Sequence, residues 1–345
     1  MTIHKVVDLL NHFVSFQTRF KVRDSSSYSC SSLVLDKILI LEDEHEHEDE
    51  EDIENHQGYW RFGVQKLKYD EEVKLKKVAV QIRKNVLRMI KAGGAGHIGG
   101  ALSAADILAA LYFKVMRVDP QNPKWPERDR FVLSAGHKCL GLYATLAEKG
   151  FFDSTLLDTY GAMGTKLGGH PDMHKLPGIE TNTGALGHGL SIAGGMAMGL
   201  KMDRLPAKVY VIMGDGELAE GSNWEAAAAA SHHQLDNLLV FIDRNKLQIS
   251  GPTVDVMSYE PLDKRWESFG WGVRVIDGND LQQIVENATD IPFKKGKPSM
   301  IIADTVKSKG LPFAEDKVNF HYWKVTDEEV EIAAKALREI EEGIG

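Results

Sequence analysis

Apolar positions along this chain follow two rhythms. From about Asp70, residues Val73, Val80, Val86, Leu87 and Ile90 recur near a 3.6-residue spacing, and the run closes on Ala92-Gly93-Gly94. That pattern predicts a long amphipathic helix with a glycine stop. A second helix, rich in alanine and leucine, is expected to start with Ser103 as its N-cap and to end near Met116. Short apolar runs bounded by turn residues then predict strands at Phe131–Leu133, Val209–Met213, Leu238–Ile242, Val273–Ile276 and Met300–Ala303. Helical stretches separate most of them, and Thr326 to Glu342 reads as a terminal amphipathic helix. Alternating strands and helices imply the α/β class, a mostly parallel sheet with helices on both faces. No internal repeat is visible.

The first 56 residues share neither rhythm. A serine-rich stretch (Ser25 to Ser32) and a short apolar run (Leu33 to Leu41) lead into Glu42–Glu54, where 10 residues are acidic and none is Lys or Arg. Segment 1–56 is therefore read as a disordered acidic extension, and 57–345 as the folded domain. His45 and His47, interleaved in the acidic block, read as solvated low complexity rather than a metal site. The formal charge of -9 is carried by this block, so the remainder is nearly neutral and presents no basic face for nucleic acid or membrane. Two distant cysteines, Cys30 and Cys139, fit a reducing compartment better than a disulfide scaffold. No apolar run approaches the roughly 20 residues that span a bilayer, and Asp8, Asn11 and His12 interrupt the apolar N-terminus. A cytoplasmic location is expected.

The richest chemistry lies in Val209-Tyr210-Val211-Ile212-Met213-Gly214-Asp215-Gly216, followed by a helix and then by Leu238-Leu239-Val240-Phe241-Ile242-Asp243-Arg244-Asn245. A crossover between parallel strands returns the second beside the first. Asp215 and Asn245 should thus meet just past the carboxyl edge of the sheet, where open α/β sheets bind ligands. A carboxylate and an amide carbonyl are hard oxygen donors suited to Mg²⁺ or Ca²⁺. Gly214 and Gly216 let backbone approach a ligand, and the N-terminus of the following helix would favour an anion. Together they describe a magnesium-diphosphate site. A bare Gly-Asp-Gly is more often only a tight turn; its strands, alanine-rich helix and strand-ending Asn give this one its meaning.

The segment resembles the signature of thiamine-diphosphate enzymes, and the likeness extends over roughly Asp70 to Trp323. Gly96-His97, the run Asp129 to His137, Gly169-His170-Pro171-Asp172, Thr183 to Gly189 and Phe320-His321 occur in transketolase order. The resemblance implies the thiamine-diphosphate-binding fold, with Asp215, Asn245 and the Leu247 carbonyl holding Mg²⁺ (Ca²⁺ or Mn²⁺ as substitutes). It implies that Gly216, His137 and His321 contact the diphosphate, that Gly184, Ala185 and Leu186 line the aminopyrimidine, and that Ile249 packs on the cofactor. His97 and His170 would contact substrate oxygens and assist proton transfer, and Glu220 would join a hydrogen-bonded link between paired active sites. His188 is given no functional role, His232 and His233 in the crossover helix are read as packing or surface residues, and Trp224 as helix packing.

Three departures from single-chain transketolases stand out: Ile98-Gly99-Gly100 where proline commonly follows the histidine, His188 where glutamine is common, and Tyr322 where glycine is common. The first two resemble the small N-terminal subunits of split transketolases. In the family an activating glutamate and a stacking aromatic come from a pyrimidine-binding domain, and no second βα domain is visible here. The resemblance thus implies a partner, a C-terminal transketolase subunit with the pyrimidine-binding domain, in a heterotetramer. Its activity would be transfer of a two-carbon ketol unit from a ketose phosphate to an aldose phosphate. Rival readings are a synthase of the 1-deoxy-xylulose-5-phosphate type, a split transketolase for a branched sugar phosphate, and a non-catalytic subunit that keeps the fold.

Overall fold

The structure is a computed structural model that describes residues 66–344; the acidic extension lies outside them. Five strands form the central sheet: β1 (Arg130–Leu133), β2 (Val209–Gly214), β3 (Leu238–Arg244), β4 (Gly272–Asp277) and β5 (Ser299–Asp304). Their order is β1-β2-β3-β5-β4, and every neighbouring pair is parallel. Both faces are covered because successive strand residues point to opposite sides. Tyr210, Ile212, Leu239, Phe241 and Ile301 join one core cluster, while Val209, Val211, Met213, Val240 and Ile302 join the other.

The first cluster is roofed by α1 (Tyr69–Gly93), by α2 (Gly99–Ser103) running into α3 (Ala105–Ala110), and by α4 (Cys139–Lys149). Helix α1 stops where sequence predicts, with Gly94 in the left-handed region at φ 73° donating its N–H to the Ile90 carbonyl. Packed on the second cluster are α5 (Gly189–Met202), α6 (Ser222–His232) and α7 (Leu262–Ser268). Helices α8 (Leu281–Thr289) and α9 (Asp327–Glu342) return to the first face. Thr326 caps α9 through a reciprocal box with Glu329. No helix among the described residues is long and apolar enough to cross a membrane.

Two expectations about local structure are corrected. Ser103 is not an N-cap: the helical stretch already begins at Gly99, and the buried Ser103 hydroxyl reaches the carboxylate of Asp243 at 2.6 Å. The helix expected directly after Gly-Asp-Gly is preceded by a 3₁₀ turn, Gly216–Ala219, and α6 starts only at Ser222. Glu217 explains the delay. Its side chain turns back into the sheet edge and accepts from Ser134 Oγ (2.5 Å), Gly187 N (2.9 Å) and Gly214 N (3.1 Å).

Candidate active site

Strands β2 and β3 run side by side with Gly214 opposite Asp243, so Asp215 and Asn245 both emerge just beyond the same edge. One oxygen of Asp215 accepts the Gly216 N–H at 2.9 Å, and the other accepts the Lys246 N–H, immediately after Asn245, at 2.6 Å. That second bond ties the Gly-Asp-Gly turn to the strand-ending asparagine. Asn245 Oδ1 accepts from Leu247 N at 3.2 Å. Asp215 and Asn245 are both buried. Burial first, and the nearby Asp243 second, push the Asp215 carboxyl up to about 6. A carboxylate so disfavoured gains from a cation beside it, and its neighbours (an amide oxygen and a backbone carbonyl) are hard donors as well. The residues fit a divalent ion of the Mg²⁺ type. A cleft of about 600 Å³ opens alongside, lined by Asn245, Leu247, Asn279 and Asp304 among others.

Sequence reasoning missed the floor of this site. Lys307 is 1% exposed; its ammonium donates to the Leu247 carbonyl at 2.8 Å and meets His321 Nδ1 at 3.1 Å. The carbonyl expected to bind metal thus already accepts one hydrogen bond, leaving its second lone pair. Burial, with the Lys138 charge next, lowers the Lys307 ammonium to about 8. Lys138 is 2% exposed and pairs with the fully buried Asp243 at 2.6 Å, where Ser103 and Thr305 also donate. A carboxylate continuing the all-apolar run of β3 was the available signal: Asp243 could stay there only if buried donors met it.

Histidines gather above this floor. His97 follows a two-residue antiparallel ladder in which Gly96 faces Trp323, and that ladder carries His97 to the segment holding His321. The rings of His97, His137 and His321 lie 5.4–5.6 Å apart centre to centre, and Tyr322 meets His97 edge-on at 4.9 Å. Burial lowers His97, takes His321 to about 4 and His137 to about 2, with neighbouring positive groups adding to each. Neutral rings result, able to accept a proton or to donate one hydrogen bond. His170, on an exposed turn, closes over the next loop: a Cβ on Gly184 would stand 2.7 Å from its ring.

The loop carrying Gly184, Ala185 and Leu186 is fixed at both ends. Gly184 presses on Gly136, where a Cβ would meet the Gly184 nitrogen at 2.7 Å. Gly187, at φ 83°, packs against Glu220, and the Gly187 N–H binds Glu217. Glu220 is therefore beside the loop and exposed, and Ala185 is exposed too. Ile249 lies 68% exposed, two residues beyond Leu247. His188, His232 and His233 are exposed, and Trp224 packs on Tyr259, Trp266 and Phe269.

Residues 74–339 match the family model described as "Transketolase, thiamine diphosphate binding domain". The chain belongs to the transketolase family. Among its relatives, the 6-deoxy-6-sulfo-D-fructose transketolase subunit of Clostridium sp. (strain MSTE9) is 48% identical over 75% of this chain and 94% of its own length. An apulose-4-phosphate transketolase subunit of Phocaeicola vulgatus is 47% identical over 76% and 92%. Human transketolase is 40% identical over 72% of this chain but only 39% of its own length. Among solved structures, the transketolase of Campylobacter jejuni superposes with a TM-score of 0.71 at 32% identity, covering 76% of this chain and 42% of that one. This chain thus spans less than half of single-chain transketolases and nearly all of the relatives named as subunits.

Proposed function

We propose that this chain is the cofactor-binding subunit of a two-subunit transketolase that uses thiamine diphosphate and Mg²⁺ to move a two-carbon ketol unit between sugar phosphates. The observation that carries the reading is the short bond from the Lys246 N–H to Asp215, which sets two oxygen-donor side chains at one strand edge. Asp215, Asn245 and the Leu247 carbonyl would hold the ion, with Gly216, His137 and His321 toward the diphosphate and Gly184, Ala185, Leu186 and Ile249 around the cofactor rings. Bound thiamine diphosphate supplies an electron sink next to the carbon–carbon bond being broken. The chain's own residues do the rest. His97 and His170 bind substrate oxygens and move protons, and burial keeps His97 free to accept one near neutral pH. Lys307 holds His321 and Leu247 in place.

The partner would be a C-terminal subunit with a pyrimidine-binding domain, two copies of each chain forming a heterotetramer in which Glu220 faces the neighbouring site. Support comes from relatives named as subunits that this chain covers almost end to end. The cytoplasm is the proposed compartment. All three of those relatives are named for unusual sugars, one for a sulfofructose and two for apulose 4-phosphate. An uncommon ketose ending in a phosphate or sulfonate is accordingly favoured as donor, and Gly169-His170-Pro171-Asp172 favours a transketolase over the pyruvate-using synthase. Turnover of ketose phosphates, xylulose 5-phosphate included, and of pyruvate should be compared with and without the partner subunit. Ketol transfer only with the partner, and no condensation of pyruvate, is expected. Robust transfer by this chain alone would refute the two-subunit reading, and pyruvate turnover would favour the synthase.

A further inference from the structure

Lys138 immediately follows His137 and is sealed inside the molecule at 2% exposure. An ammonium has three donors. Among the described residues one acceptor meets Nζ, Asp243 Oδ2 at 2.6 Å. The group does not point into the apolar core. A Cβ built on Gly214, the residue before Asp215, would stand 3.6 Å from Nζ, so the charge lies directly under the Gly-Asp-Gly edge.

Glycines make room for this side chain. A Cβ on Gly100 would come within 2.8 Å of Lys138 Cε, and one on Gly99 within 2.9 Å of Lys307 Cε. In the Ile98-Gly99-Gly100 run, the two glycines pack directly against two buried lysine side chains. Asp243 fixes Lys138, and Ser103 and Thr305 fix Asp243 from α2 and from the end of β5. Four segments therefore converge to hold one cation at one spot. An ordinary buried pair needs no such aim toward the strand edge.

We infer that Lys138 is a diphosphate-binding residue, a fixed positive charge set beneath the anion site by Asp243 and admitted by Gly100. This rests on the reading of the site given under Proposed function. It adds a second source of positive charge to the divalent ion, supplied by the chain itself. Donors left over on Nζ are available to anion oxygens at the Gly214–Gly216 edge, where a preorganised charge costs little to engage.

The test uses the full chain with inorganic pyrophosphate as probe, titrated calorimetrically with Mg²⁺ present. Lys138→Met alone leaves Asp243 buried and unpaired and can fail to fold, so the deciding protein is the double variant Lys138→Met/Asp243→Asn. It exchanges a charged pair for a neutral one and is expected to keep its unliganded melting temperature. Its pyrophosphate affinity should fall about tenfold or more, the worth of one charged hydrogen bond. Affinity matching the wild type would overturn the inference while leaving the site reading intact. If the wild type itself binds no Mg²⁺-pyrophosphate, the site reading fails, and this inference with it.

Discussion

Asp215 is a carboxylate whose two oxygens each hold a backbone N–H, and those bonds fix its direction. His170 differs in kind: exposed, on a turn, touching the Gly184 loop but none of the oxygen donors. The two should therefore fail differently. His170→Ala is expected to leave the affinity for Mg²⁺-thiamine diphosphate unchanged while slowing turnover with the partner by about 10²-fold or more, the usual worth of a positioned acid or base. Equal loss of cofactor affinity would contradict its assignment to substrate. That Asp215 and Asn245 meet at one strand edge was legible, because each follows an apolar run that reads as a parallel strand. Lys138, Lys307 and Glu217 were not, since their partners lie across the fold: Lys138 meets Asp243 at a separation of 105 positions, and Lys307 meets Leu247 at 60. The sequence shows a carboxylate continuing an apolar strand, Asp243, but not which buried cation meets it.

At the scale of elements, the apolar runs predicted all five strands of the central sheet to within two residues; the inner strands, buried on both faces, are nearly continuous in apolar residues, while the edge strand β4 keeps a shorter run around Val273–Ile276. The start of α2 was misread for a reason that recurs in tight sites. Ser103 has the residue type of a cap, but a buried carboxylate claimed its hydroxyl instead. The 3₁₀ turn at Gly216–Ala219 likewise could not be foreseen, since Glu217 is drawn inward by Ser134 and by N–H groups from two different segments. Where an element ends at the site, tertiary bonds override the local pattern.

Across the whole molecule, His97, His137 and His321 from three segments share one half-buried neighbourhood, and their folded values lie below the ordinary histidine value near 6.5. The unfolded chain then takes up these protons first as pH falls. Their contribution to stability is full above about 6.5 and is lost progressively as pH drops toward the folded values. Asp215, held up to about 6, acts in the opposite sense, favouring the folded state once protonated. His137→Gln should separate the two effects: its urea midpoint is expected to decline less than the wild type's between pH 7.5 and 5, and an identical decline would mean His137 titrates normally.

The central claim is that a crossover between parallel strands builds an ion site for a diphosphate. Calorimetric titration of thiamine diphosphate into the chain with its partner subunit, with Mg²⁺ and then with EDTA, tests it most directly. Saturable binding that needs the divalent ion and disappears in Asp215→Ala is the predicted result. Binding that survives both the chelator and the substitution, or no binding in the wild type, would contradict it.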